Sequence, residues 1–220
     1  MNGERIPRSA VLTRDPIVAV LRADHAVEYP PVIDALLSGG VRSIELTLST
    51  HGVFDHLEEL VARVGSDGEV GVGTVTTLAE AELAIASNAA FVVTPVMNPD
   101  VIGACVAAGL PVYPGGLSPT EVQLGWAAGA TAVKIFPASA VGPDYVNQLR
   151  GPFPDLQVIP SGGVDEAAAI AWLQAGAVAV SIGGPLIGDA FAGGDLVLLT
   201  DRARRLSEKV LETVAARGPA

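Results

Sequence analysis

Eight short apolar stretches, each followed by residues with a helical pattern, constrain any fold of this 220-residue chain. They are Ile17–Leu21, Ser43–Leu48, Val70–Thr74, Phe91–Thr94, Pro111–Tyr113, Ala132–Phe136, Leu156–Pro160 and Val178–Ile182. All have strand length, and such alternation predicts parallel strands joined by helical crossovers. Gly40, Gly109, Gly129 and Gly176 each end a helical stretch just before a strand, where a left-handed cap favours glycine. Their separations of 69, 20 and 47 residues approach three, one and two copies of a unit, one of roughly 23 residues, a size suited to barrel-forming repeats. Thr77-Leu-Ala-Glu80, Asn98-Pro99 and Ser118-Pro119-Thr120-Glu121 supply helix starts. Pro30-Pro31 predicts that the first long helix begins there, and Leu196, Leu199, Ala203, Leu206, Val210 and Val214 predict a last helix over 195–216. The expected fold is α/β, a (β/α)8 TIM barrel in a single domain over 1–220, with 1–14 as an N-terminal extension or short helix. A doubly wound open sheet is the alternative, but no GxGxxG follows the first strand.

Composition narrows the class. Half the residues are hydrophobic and 17% are charged, which excludes a disordered chain. The 25 glycines and 16 prolines suit a fold with many tight connections. One cysteine supports neither a disulfide framework nor a multi-cysteine metal site. No apolar run follows the basic N-terminus, and none reaches the ~18 residues of a membrane span, so a cytoplasmic location is expected. The net charge of −11 argues against a nucleic-acid partner. A small anionic substrate would need locally placed positive groups.

Two charges interrupt the strands. Side chains alternate, so Ser43, Glu45 and Thr47 share one face and Ile44, Leu46 and Leu48 the other. Helices cover the outside of a barrel, which turns Glu45 inward. Lys134, in Ala-Val-Lys-Ile-Phe-Pro, has apolar neighbours on both sides. A buried ion pair is one explanation, but such pairs stabilise poorly. The other is chemical: an amine in an apolar surround is freed to attack a ketone, and a nearby carboxylate moves the protons. Lysine and glutamate suffice for Schiff-base aldol chemistry, without metal or cofactor. Ser161-Gly162-Gly163 and Gly183-Gly184 follow the seventh and eighth strands, where barrels frequently hold phosphate or another anion. Gly115-Gly116 is read as backbone clearance around the site.

On these residues the chain resembles the 2-keto-3-deoxy-6-phosphogluconate (KDPG) and 4-hydroxy-2-oxoglutarate (KHG) aldolase family, which includes 2-keto-3-deoxy-6-phosphogalactonate aldolases. The resemblance runs from about Pro16 to Ile187. It is carried by Ile44-Glu45-Leu-Thr, Gly71-Val-Gly-Thr74-Val, Val93-Thr94-Pro95, Pro114-Gly115, Lys134-Ile-Phe-Pro137, Gly142-Pro143, Arg150-Gly-Pro-Phe and Pro160-Ser-Gly-Gly163. It implies Lys134 as the Schiff-base lysine and Glu45 as the general acid/base, with Thr74 and Pro95 lining a pyruvyl pocket to which Phe136 is added. It implies Gly162 and Gly163 as a phosphate loop, flanked by Ser161, Gly183 and Gly184. It further implies cleavage of a 2-keto-3-deoxy sugar acid phosphate to pyruvate and glyceraldehyde 3-phosphate by a homotrimer. Two positions depart from the pattern. Ser49 stands where many members carry a carboxylate-gripping arginine, a charge that Arg22 is placed to supply. Pro185 stands where a phosphate-binding serine often follows the strand 8 glycines.

Other residues read more plainly. Cys105 is a buried filler, and Trp126 and Trp172 are packing residues on helices. His25 and His51 fall near strand ends as loop, capping or substrate-touching groups; with His56 they form no metal cluster. Ser139 and Tyr145 lie near the sixth strand's exit, and Arg202, Arg204, Arg205 and Lys209 form a solvated helix face. Three rival readings stand beside the phosphorylated substrate: a 4-hydroxy-2-oxoglutarate aldolase with an unphosphorylated substrate, a phosphate-sugar epimerase or isomerase using Glu45 as base, and a non-catalytic keto-acid-binding barrel.

Overall fold

The computed structural model describes residues 5–217. A short helix, α1 (Ala10–Arg14), capped by the Ser9 hydroxyl, precedes strand β1 (Ile17–Leu21). Helix α2 (Tyr29–Ser38) has its prolines in the first turn, where a missing N–H costs nothing. The chain continues through β2 (Ser43–Thr47), α3 (Val53–Val64), β3 (Glu69–Gly73), α4 (Leu78–Ala86), β4 (Val92–Val93) and α5 (Pro99–Ala107). Next come β5 (Val112–Tyr113), β6 (Gly115–Gly116), α6 (Pro119–Ala127), β7 (Val133–Ile135), α7 (Tyr145–Arg150), β8 (Val158–Pro160) and α8 (Glu166–Gln174). Strand β9 (Val180–Ile182), the short α9 (Gly184–Ile187) and α10 (Leu196–Arg217) complete it. The expected caps form: Thr77 and Ser118 make reciprocal capping boxes with Glu80 and Glu121, and Asn98 caps α5. Gly40, Gly109, Gly129 and Gly176 all have φ between 71° and 107°, so a side chain at these turns would be strained.

All pairings are parallel, in a six-stranded sheet of order β5-β4-β3-β2-β1-β9 and a three-stranded sheet of order β6-β7-β8. The fifth apolar stretch forms β5, and Pro114, which has no N–H to donate, separates it from β6. Gly115 and Gly116, expected only as clearance, are themselves a strand against Lys134 and Ile135. A side chain on Gly115 would meet the Pro95 backbone at 2.6 Å, so the clearance is real as well. Backbone hydrogen bonds cross the two seams, Thr131 N–H to Val112 O and Val178 N–H to Val158 O, both 3.0 Å.

Burial follows strand parity. Ile17, Ala19, Leu21, Ile44, Leu46, Val133, Ile135, Val180 and Ile182 belong to the large core cluster beneath the helices. Val18, Val93, Tyr113, Ile159 and their neighbours form a smaller cluster on the opposite faces, against which α1 seats Leu12. Glu45, Lys134 and Ser181 have the parity of this second set. At its base, buried Ser43 donates to Glu69, whose carboxyl is pushed up by burial.

Candidate active site

Lys134 and Glu45 come together from different sheets. Glu45 sits on β2 and Lys134 on β7, which are not neighbours, and parity aims both side chains inward. Lys134 Nζ lies 4.0 Å from Glu45 Oε1, with side chains 8% and 2% exposed. Apolar walls so close leave each charge dependent on the other, or on what binds between them. Glu45 Oε2 has no hydrogen-bond partner among the described residues. Gly73 on β3 makes room for this carboxylate: a Cβ there would overlap Oε1 and lie 2.5 Å from Cδ and Cγ. The next residue, Thr74, holds φ +60°, rare for a β-branched side chain. The Phe136 ring centroid lies 5.2 Å from Lys134 Nζ.

The pair opens into a cavity of about 300 Å³. The residues expected as the catalytic pair, the pyruvyl pocket and the anion loops all line it: Arg22, Glu45, Thr74, Pro95, Lys134, Phe136, Ser161, Gly162, Gly163, Gly183 and Gly184. Val20, Val164, Ser181 and Pro185 complete the wall. Gly162 and Gly163 have φ of 84° and 73°, and a Cβ would meet the Phe136 ring at 3.0 Å or Ser139 Cβ at 2.7 Å. Exposed Arg22 stands between this cavity and an adjoining one of about 440 Å³, which Asp24, Glu28 and Phe191 also line. Arg22 makes no ion pair among the described residues, so its guanidinium is available to an anion.

Several other candidates lie elsewhere. His25 and His51 pair as an isolated bridge with ring centroids 5.5 Å apart, outside the residues lining this cavity. Tyr145 donates to Leu117 O, and Ser139 packs beneath Gly163. Cys105 is fully buried, Trp172 on α8 is buried, and Trp126 carries the Arg5 guanidinium 3.4 Å from its ring centroid. Arg204 and Lys209 make exposed ion pairs, as a solvated face should. Arg202 corrects that reading: it donates to the Leu186 and Ile187 carbonyls and caps α9, whose last carbonyls have no turn to follow. Ser181 is the polar wall residue that strand reading missed. Its signal was present, a hydroxyl at inward parity in the apolar run Val178–Ile182. Among the described residues no three His, Cys, Asp or Glu side chains are grouped as a metal site would require.

A family model described as "KDPG and KHG aldolase" matches residues 9–196. The 2-dehydro-3-deoxy-phosphogluconate aldolase of Dickeya dadantii is 33% identical over 210 residues, covering 93% of this chain and 96% of that protein. The 2-dehydro-3-deoxy-6-phosphogalactonate aldolase of Escherichia coli is 30% identical over 175 residues, covering 79% and 85%. A crystal structure of the Legionella pneumophila KDPG aldolase, with pyruvate captured as a covalent carbinolamine intermediate, superposes with a TM-score of 0.82 at 26% identity. That match covers 90% of this chain and 97% of the other.

Proposed function

Because this chain belongs to the KDPG and KHG aldolase family, we propose that it is a class I aldolase in which Lys134 forms the Schiff base and Glu45 moves the protons. The observation that carries this reading is the buried Lys134–Glu45 pair at 4.0 Å, floored by apolar side chains and open to one cavity. The Lys134 amine attacks the C2 ketone of a 2-keto-3-deoxy acid, and loss of water gives the imine. The imine draws electrons from the C3–C4 bond while Glu45 takes the C4 hydroxyl proton. The aldehyde departs, the enamine is protonated at C3, and hydrolysis returns pyruvate and free lysine. The imine is the electron sink, so this chemistry asks for neither metal nor cofactor.

The rest of the site fits the two halves of such a substrate. Thr74, Pro95 and Phe136 enclose the pyruvyl end. Arg22 replaces the cation missing at Ser49 and holds a carboxylate. The Ser161-Gly162-Gly163 turn and Gly183-Gly184 receive the distal end, as a phosphate or another anion. Pro185 removes one N–H and a hydroxyl from that end, so an unphosphorylated hydroxy-oxoglutarate is the second reading. We further take residues 1–220 as one domain, the two sheets as one closed (β/α)8 barrel, and the enzyme as a cytoplasmic homotrimer. Val96 and Leu124, about half exposed, lie on segments joined by Met97 against Gly125 and give that assembly an apolar contact.

Incubation with pyruvate and borohydride should fix a pyruvyl mass on Lys134. A folded protein without that adduct refutes the mechanism, and an epimerase or isomerase would form none. Pyruvate binding without turnover of any keto-deoxy acid would instead mark a non-catalytic barrel. Comparing kcat/KM for phosphorylated and unphosphorylated substrates in wild type and Pro185→Ser decides between the two aldolase readings.

A further inference from the structure

Glu45, Lys134 and Ser181 line the reaction cavity together. Two of these three residues carry unused hydrogen-bonding groups. Glu45 Oε2 is a buried acceptor without a donor. Ser181 Oγ accepts from Ser161 Oγ at 3.2 Å and makes no other side-chain hydrogen bond among the described residues, so its own hydrogen is uncommitted. Both serines are buried, at 4% and 5% exposure. An acceptor, a donor and the attacking amine thus share one cavity wall.

We propose that Ser181 is a further catalytic residue, holding the C2 oxygen during carbinolamine dehydration and the attacking water during imine hydrolysis. The proposal rests on the Schiff-base reading above. In the carbinolamine, C2 carries both Lys134 Nζ and the former ketone oxygen as a hydroxyl. The Nζ lone pair forms the C=N bond as the C2–O bond breaks. The departing oxygen takes the proton of the Glu45 carboxyl and leaves as water, giving a protonated imine and a carboxylate. Hydrolysis reverses each transfer: water adds to C2, its proton passes to Glu45, and the C=N electrons return to nitrogen. Throughout, Ser181 O–H donates to the oxygen that leaves or enters, and the Ser161 O–H aimed at Ser181 polarises that donor. A donor fixed where charge develops needs no reorganisation during the step.

Loss of oxygen-18 from pyruvate labelled at its ketone reads these steps without any carbon–carbon cleavage. Ser181→Ala should slow the exchange about 10²-fold, the effect of deleting one such donor. Ser181→Cys, close in volume but a weak donor, should slow it at least about tenfold. Ser181→Thr, which keeps the hydroxyl, should restore most of the rate. Exchange at the wild-type rate in folded Ser181→Ala overturns the proposal; if alanine does not fold, the same result in Ser181→Cys does so. If the wild type itself exchanges no faster than Lys134→Met and gives no borohydride adduct, the Schiff-base reading has failed, and this proposal with it.

Discussion

Gly73→Ala tests whether the site depends on the placement of one carboxylate. The new Cβ would overlap Glu45 Oε1 and sit 2.5 Å from Cγ and Cδ, whereas carbon atoms pack comfortably at about 3.5–4.0 Å. Glu45 must therefore withdraw by about 1 Å or more, and the 4.0 Å approach to Lys134 Nζ is lost. Misplacement of about 1 Å costs on the order of 10²-fold in rate, within the ~10²–10⁴-fold contributed by a positioned acid/base. The fold should survive. Gly73 is not among the glycines with positive φ, and overpacking of this kind costs about 1–3 kcal/mol. At this chain length that lowers Tm by about 2–4 °C per kcal/mol. The assay is kcat/KM for aldol cleavage, with circular dichroism as the folding control. A double-mutant cycle with Glu45→Ala locates the effect, because Gly73→Ala should add almost nothing once the carboxylate is gone. Full additivity, or folded Gly73→Ala within about threefold of wild type, refutes the reasoning.

Thr74→Gly should raise stability by about 1 kcal/mol, since backbone strain of about 1–3 kcal/mol is released and part of it is offset by glycine's entropy. Activity should fall as the cavity wall loosens; a destabilised variant in urea unfolding would refute this. Arg22→Met should raise KM by about 10–100-fold with a smaller change in kcat, as expected for losing one charge-assisted hydrogen bond to the substrate. A change in kcat alone would remove Arg22 from binding. Glu69→Gln should show a pH-dependent gain. Burial raises the Glu69 carboxyl in the folded chain, so its contribution is fully present below the unfolded value of about 4.3 and is lost as pH rises through the folded value. The Tm of the variant relative to wild type should therefore climb as pH rises above about 4; a flat difference refutes the assignment.

Much of this was legible in the sequence because parity and punctuation are local properties. Where a strand alternates, Glu45 and Lys134 must face away from the helices, and the Gly40 and Gly176 turns mark where the next strands begin. All eleven site candidates consequently meet on one cavity. The strand after the fifth stretch was not read. Gly115–Gly116 pairs with β7 although it carries no side chains to show a pattern, and the division into two sheets depends on which partner each strand finds, which local pattern does not encode. Arg202 was misread for a related reason: an arginine on a helix looks solvated until a distant short helix presents its carbonyls.

Ser181 shows a different kind of illegibility. Parity placed it inward as firmly as it placed Lys134, yet a charge in an apolar strand demands an explanation and a serine does not. The desolvation cost of a hydroxyl is small and one hydrogen bond meets it, so a buried serine ordinarily means nothing. Its significance arises from what surrounds it: a carboxylate oxygen without a donor, an amine, and the cavity that all three line. Charged residues reveal where the chemistry is, because burying them is expensive. Neutral donors that tune the same chemistry become visible once the unsatisfied groups around them can be counted in three dimensions.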